Sequence, residues 1–278
     1  MSTESGFSAA AALLGAARAL VITTGAGMGV DSGLPDFRGN QGFWNAYPMY
    51  ERLGLSFVQA ANPEHFDNDP HFGWGFYGHR TNLYRTTVPH AGFALLKGWI
   101  ERFNLDAFVV TSNVDGQFQK AGFDPDRVLE VHGSIHHLQC TVPCSRAIWP
   151  NQATFAIDET TMRADDTPFC PSCRRVARPN ILMFGDYAWL HQRTAEQEER
   201  FDEFLDRQRN QPTLVVEIGA GTAIPTIRLL SERLGQRPHT RVLRINPREA
   251  QIRGNHFSFA GGAVETLTRL DRALAAAV

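Results

Sequence analysis

Ala19-Leu20-Val21-Ile22-Thr23, running into Gly25-Ala26-Gly27-Met28-Gly29, is the stretch whose reading decides the fold. A continuous apolar run with no polar alternation suits a strand buried on both faces. The glycines behind it permit a tight turn and let the backbone approach a pyrophosphate closely. Taken alone, such a turn suits any short strand-to-helix connection equally well.

Working outward, similar runs recur at Ala107-Phe108-Val109-Val110-Thr111, Val128-Leu129-Glu130-Val131, Ile181-Leu182-Met183-Phe184, Leu214-Val215-Val216-Glu217-Ile218 and Val242-Leu243-Arg244-Ile245. Helical stretches are expected over about 8–18, 190–208 and 225–235, and over 90–103, where Phe93, Leu96, Trp99 and Ile100 fall at helical spacing. Asn62-Pro63-Glu64 reads as a helix start, and the aromatic residues between Phe66 and Tyr84 as packed helices. Strands alternating with helices predict an α/β fold, a doubly wound parallel sheet of the Rossmann-like, dinucleotide-binding kind. The expected division is a Rossmann-like domain of residues 1–40, 86–137 and 180–278, a helical insertion at 41–85, and a small zinc-binding module at 138–179.

The 278 residues, 43% hydrophobic and 20% charged, suffice for a sizeable core. A formal net charge of -2 offers no attraction to nucleic acid or to a membrane surface. The apolar N-terminus from Phe7 to Ile22 has Glu4 where an export signal would be cationic, and it is broken by Gly15 and Arg18. A cytoplasmic protein is therefore expected; oligomeric state leaves no trace in the sequence. The four cysteines form Cys140-x3-Cys144 and Cys170-x2-Cys173. In a reducing compartment such pairs read as one tetrahedral Cys₄ zinc site. With every ligand position filled the Zn²⁺ is structural, and it staples a segment too short for a core of its own.

Ser32-Gly33-Leu34-Pro35-Asp36-Phe37-Arg38-Gly39 sets a carboxylate, a ring and a guanidinium side by side, which also suits a salt-bridged surface loop. Together with Gly25-Ala26-Gly27 it resembles the NAD-binding signature of sirtuins. Further blocks follow in the family's order: Thr111-Ser112-Asn113-Val114-Asp115 closing at Lys120-Ala121-Gly122, Glu130-Val131-His132-Gly133-Ser134, the cysteine pairs, Arg178-Pro179-Asn180-Ile181-Leu182-Met183-Phe184-Gly185-Asp186, Gly219-Ala220-Gly221, and Ile245-Asn246. The resemblance spans residues 19 to about 267.

The resemblance implies an NAD-dependent protein lysine deacylase that releases nicotinamide and O-acyl-ADP-ribose. A histidine titrates near neutral pH and suits the base such a reaction needs. Ten histidines are present, His136 and His137 close by, and only the family block singles out His132. Asn113 and Asp115 are implied to orient the nicotinamide ribose and amide, or simply to cap the following helix. Implied cofactor contacts are Gly25, Ala26, Gly27, Asp36, Phe37, Arg38, Ser112, Asn113, Asp115, Gly219, Ala220, Gly221, Asn246 (at the adenosine ribose) and Ala263. Met183, Phe184 and Gly185 are implied to meet the acylated lysine's backbone through an exposed edge. Tyr77-x-x-Arg80 resembles the pair lining the acyl pocket of sirtuins that remove succinyl or malonyl groups; the other reading is a core tyrosine and a solvated arginine.

The departures from the family pattern gather around the cofactor: Gly29 for serine, Ser112 for glutamine, Gln117 and Phe118 for leucine and histidine, a shortened Gly219-Ala220-Gly221-Thr222 turn, and Arg248 for glutamate. They leave two other readings open: a mono-ADP-ribosyltransferase or NAD glycohydrolase on the same fold, and an NAD or ADP-ribose sensor without turnover.

Overall fold

The computed structural model describes residues 4–36 and 39–276. Phe37 and Arg38, two of the expected cofactor contacts, lie outside the described residues. The strands are β1 (Ala19–Thr24), β2 (Asp106–Thr111), β3 (Val128–Glu130), β4 (Gly133–Cys140), β5 (Ile148–Pro150), β6 (Ile157–Asp158), β7 (Arg163–Ala164), β8 (Ala177–Ile181), β9 (Thr213–Ile218), β10 (Thr240–Ile245) and β11 (Phe257–Phe259). The helices are α1 (Glu4–Ala16), α2 (Gly39–Ala46), α3 (Pro48–Arg52), α4 (Phe57–Ala60), α5 (Glu64–Asn68), α6 (Pro70–Thr86), α7 (Ala91–Phe103), α8 (Gln117–Lys120), α9 (Gln192–Arg207), α10 (Thr226–Gly235) and α11 (Ala263–Ala276).

A 6-stranded parallel sheet runs β11-β10-β9-β1-β2-β3. Strand β1 is buried along its whole length because it sits at the centre, with helices on both faces. Leu20 and Ile22 join a core with Phe7, Phe93, Leu96, Trp99 and Leu267 of α1, α7 and α11. Val21 joins the opposite core with Phe204 of α9 and Ile227 of α10. The chain builds outward from β1 in both directions, so the strand order reverses between β1 and β9. In doubly wound sheets the ligand crevice opens at such a reversal, beyond the strands' carboxyl ends.

Beyond β3 the architecture changes. Strand β4 turns away into a 3-stranded antiparallel sheet, β5-β4-β8. The expected strand at Ile181–Phe184 is thus the tail of β8, outside the parallel sheet, and it stops at Ile181. The Asp186 carboxylate takes the N–H of Met183 at 3.3 Å, and Gly185 follows at φ 69, which together bend the chain out of strand geometry.

The cysteine-bearing segment and helices α2–α6 share one aromatic core, including Phe43, Tyr50, Phe66, Trp74, Phe76, Phe155 and Leu138. Trp74 stacks on Phe155 at 4.6 Å and donates its indole N–H to the Ala177 carbonyl at 2.8 Å. Helix α6 comes so close to Met162 that a Cβ at Gly75 would lie 1.7 Å from that residue's carbonyl oxygen. A segment too short to bury itself therefore gains a second anchor besides its cysteines. Among the described residues no helix is long and apolar enough to cross a membrane.

Candidate active site

The floor of the site is formed by the turns after β1 and β9, which are fitted into each other. Gly25 N–H donates to the Ile218 carbonyl at 3.1 Å, and Gly27 N–H to the Gly219 carbonyl at 3.0 Å. A Cβ on Gly25 would meet the Gly219 oxygen and the Ala220 Cα at 2.8 Å. One on Gly219, whose φ is +64, would fall 2.4 Å from the Gly27 carbonyl carbon. Glycine is required here first for turn-on-turn contact, and the same bareness leaves backbone open to a ligand. Ala26 begins the short 3-10 turn Ala26–Met28.

Above this floor lies a cleft with about 480 Å³ of empty space, part of it open to solvent. Its lining brings together Gly27, Asp36, Gly219 and Ala263 of the expected set, and adds Asp31, Pro247 and Arg248. Asp31 accepts the N–H of Val264 at 2.8 Å and so caps α11 from across the cleft. The two residues are 233 positions apart, and no local pattern announces the pairing. Ala220 is buried, while Gly221 stands half-exposed beside Glu249. Asn246 is wholly buried: its amide donates to the Ala220 carbonyl at 2.9 Å and accepts from the N–H groups of Arg248 (3.0 Å) and Glu249 (2.9 Å). It shapes the wall from within. Arg228 adds bonds to the Ala220 and Glu249 carbonyls at 3.1 and 2.8 Å.

The neighbouring strand ends carry the expected reactive residues. Asn113 donates to the Gly25 carbonyl at 3.1 Å, tying the end of β2 to the first glycine turn. The Ser112 hydroxyl donates to the Thr24 carbonyl at 3.4 Å. Asp115 is 8% exposed, and its carboxylate accepts the N–H of Gln117 at 3.0 Å. Burial is the main reason its carboxyl is pushed up from 3.8 to about 6; the Gln117 N–H opposes the rise, Glu130 adds to it and Arg80 opposes it.

Three histidines lie on or beside β4, and their surroundings separate them. His136 bonds the Asp115 carbonyl at 2.9 Å and fills the space a Cβ at Gly116 would need. His137 is pushed down to about 4, by burial first and then by Arg193, which leaves it a poor base near neutrality. His132 stands half-buried at the carboxyl end of β3, beside the Ser112 backbone. Burial lowers its pKa and the Ser112 backbone opposes that. Its own carbonyl accepts the Leu182 N–H at 2.9 Å. Gly133, at φ +78, follows because a Cβ there would lie 2.1 Å from the Asn180 oxygen.

That contact leads to the expected substrate segment. Met183 is buried, Phe184 is half-buried with its N–H on the Ala61 carbonyl at 3.2 Å, and Gly185 is exposed. A buried polar frame, which sequence reading missed, holds this segment. Asn180 donates to Gln139 Oε1 at 2.9 Å and to the Leu190 carbonyl at 2.8 Å. Gln139 donates to the Ala188 carbonyl at 2.8 Å and accepts the Leu190 N–H at 2.9 Å. Arg178 pairs with Asp186 at 2.6 Å with both side chains 1% exposed or less. Polar residues inside strands carry no apolar signal, so nothing in the hydropathy pattern marks them.

Tyr77 and Arg80 are both buried in α6. The Arg80 guanidinium lies 5.0–5.5 Å from the rings of Phe76, Tyr77 and Tyr84 and donates from Nε to the Tyr84 hydroxyl at 2.9 Å. Arg80 is therefore buried rather than solvated, and its charge opposes the rise of the Asp115 carboxyl.

The cysteines come together as expected. Their four sulfurs lie within 4.8 Å of one another, with Cys140–Cys173 and Cys144–Cys170 each at 3.6 Å. A disulfide would need about 2.05 Å; a tetrahedron of thiolates 2.3 Å from a central ion has edges of about 3.8 Å. Cys140, Cys144, Cys170 and Cys173 fit one structural zinc ion.

The description "Sir2 family" belongs to the family model that matches residues 25–219. An NAD-dependent protein deacylase of Thermococcus kodakarensis is 33% identical over 177 residues, covering 64% of this chain and 63% of that protein. One from Candida albicans is 26% identical over 248 residues, covering 75% and 77%. The chain thus spans just under two thirds of the length of the first relative and rather more of the second. A solved Sir2 homologue–NAD complex superposes with a TM-score of 0.71 at 23% identity, over 97% of this chain and 94% of that one. A homologue bound to a propionylated peptide gives 0.63 at 20% identity, over 94% and 95%. With interlocked glycine turns at a sheet reversal, a histidine at the adjoining strand end and a four-cysteine cluster in the module beside it, the chain belongs to the Sir2 family.

Proposed function

We propose that this chain is an NAD-dependent protein lysine deacylase that transfers the acyl group of a modified lysine to ADP-ribose and releases nicotinamide. The observation that carries the reading is the sorting of the three histidines: His136 is committed to the Asp115 turn, His137 is pushed down to about 4, and His132 remains at the strand end beside Ser112. The names of the relatives, NAD-dependent protein deacylases, support the same activity.

NAD, when bound, supplies a ribose carbon that becomes electrophilic as nicotinamide departs. The chain's own residues do the rest. Gly25, Ala26, Gly27, Gly219, Ala220 and Gly221 present bare backbone to the dinucleotide, and Asn246 keeps the second turn in shape. Asn113 and Asp115 orient the nicotinamide ribose and amide; holding the ribose rigidly lowers the barrier without any protein nucleophile. His132 takes the proton of a ribose hydroxyl, a step that needs its neutral form. Met183, Phe184 and Gly185 pair with the peptide backbone, using carbonyls and Gly185 because the Met183 and Phe184 N–H groups bond internally. Arg80, with Tyr77 beside it, gives the acyl pocket a fixed cation suited to a succinyl or malonyl carboxylate. A zinc ion held by Cys140, Cys144, Cys170 and Cys173 would brace the module, with all four ligand positions filled by thiolates.

The test is nicotinamide release from NAD with acetylated and succinylated peptides. Release that requires peptide, with matching loss of the acyl group, is expected. Release without peptide would point to NAD hydrolysis, and label transferred to protein would point to ADP-ribosylation. Arg80→Met should depress the succinyl rate more than the acetyl rate; an unchanged succinyl rate would remove Arg80 from the pocket.

A further inference from the structure

Arg228 is the third residue of α10 and is buried at 8% exposure. Its guanidinium donates to three backbone carbonyls. One is Ala220 in the second glycine turn, at 3.1 Å; the others are Glu249 at 2.8 Å and Gln251 at 3.3 Å, in the loop after β10. That loop opens with Pro247 and Arg248, which line the cleft together with Gly219 of the turn. One side chain therefore joins two segments that frame the cleft, while Arg228 itself is not among the lining residues.

Stability does not account for this placement. Among the described residues no carboxylate pairs with Arg228, and Glu232, one helical turn further on, is engaged by Arg244 at 2.9 Å. Burying a charge without a counter-charge is costly. The first turn of a helix is also the positive end of its macrodipole, which disfavours a cation. Two of the three carbonyls have a second donor: Asn246 reaches Ala220 at 2.9 Å, and Arg244 reaches Gln251 at 2.6 Å. What the arrangement does supply is a positive charge, shielded from solvent, behind a bare glycine turn. We propose that Arg228 is a positioning residue for the anionic dinucleotide, an inference that rests on the dinucleotide reading of the cleft. It holds the loop after β10 against the second glycine turn, and its uncompensated charge favours a diphosphate in the cleft without touching it.

The experiment uses the full chain with Arg228→Met, Arg228→Lys and Thr222→Val. The last removes a second link between turn and loop, the exposed Thr222 hydroxyl on Glu249 at 2.5 Å. ADP-ribose binding is measured by calorimetry, nicotinamide release by kinetics, and the unliganded proteins are unfolded in urea. Arg228→Met should raise the ADP-ribose Kd and the KM for NAD on the order of tenfold. Its kcat and peptide KM should stay within about twofold of wild type, and its urea midpoint should not fall. Lysine keeps the charge and should recover part of the affinity, and Thr222→Val should give a smaller rise in NAD KM. The proposal is overturned if Arg228→Met keeps the wild-type NAD KM, if kcat falls in place of affinity, or if peptide KM rises as much as NAD KM, which would make the residue merely structural. Should Arg228→Met fail to fold, an unchanged NAD KM in both Arg228→Lys and Thr222→Val overturns it. ADP-ribose binding that ignores Arg228 would overturn this inference alone. A wild type that binds no ADP-ribose would overturn the dinucleotide reading and the inference with it.

Discussion

Replacing Asp115 by asparagine should make the protein more stable and a worse enzyme. Asp115 is 8% exposed, and its carboxyl rises from 3.8 to about 6, chiefly because burial penalises the charge. Below pH 3.8 the acid is neutral in both folded and unfolded chains and costs nothing. As pH rises toward 6 the unfolded chain ionises first, and the folded state loses stability relative to it. The loss is between about 1 and 2 kcal/mol at pH 5 and levels off near about 3 kcal/mol at pH 8, at about 1.4 kcal/mol for each pH unit between the two values. Asparagine keeps an acceptor for the Gln117 N–H but never ionises, so Asp115→Asn should gain about these amounts. Urea unfolding of the unliganded protein at pH 5 and pH 8 measures both, and the gain should roughly double between them. Peptide-dependent nicotinamide release at pH 8 should fall by about a hundredfold in the same variant, as expected for a misoriented ribose. A variant less stable than wild type at pH 8, or a gain independent of pH, would refute the claim that a desolvated carboxylate is held here against its preference.

Three other outcomes follow from the geometry. Because burial lowers the His132 pKa, its neutral form persists below pH 6.5, so the acid limb of kcat/KM should lie below that value, and His132→Ala should cost about 10²–10⁴ in rate; a limb above 6.5 contradicts the assignment. The purified chain should carry one zinc per molecule, and Cys140→Ala should abolish that stoichiometry and lower the unfolding midpoint, as metal binding is linked to folding; metal content unchanged in the variant would place the ion elsewhere. Gln139→Met orphans buried partners and should destabilise by about 1–3 kcal/mol, whereas adding Asn180→Leu restores part of the stability. Peptide KM should stay raised in both variants with NAD KM unchanged, and a KM that recovers with stability would make the frame merely structural.

The parallel sheet was legible because each strand is buried on two faces and must be apolar throughout; β1, β2 and β9 lie within a residue of their apolar runs, and β10 starts two residues before its own. Strands β4 and β8 were not, for the opposite reason. They bury Gln139, Arg178 and Asn180 and satisfy them with hydrogen bonds and an ion pair, so hydropathy is blind to them. The cysteine cluster was legible from spacing alone. His132 was legible only as part of a block: what sets it apart from His136 and His137 is who touches whom, and a sequence does not contain that. The same holds for Asp31 capping α11 and for the common core joining α6 to the metal-bearing segment.

The fitted glycine turns constrain how this cleft can change over evolutionary time. A side chain at Gly25 strikes the second turn, and one at Gly219 strikes the first. Neither position can vary unless the other turn has already moved, so mutations in the two are strongly epistatic. A lineage that shortens or reshapes the turn after β9 must keep the turn after β1 in step. Drift is then easier on the outer wall, at exposed lining residues such as Arg248, than on the floor.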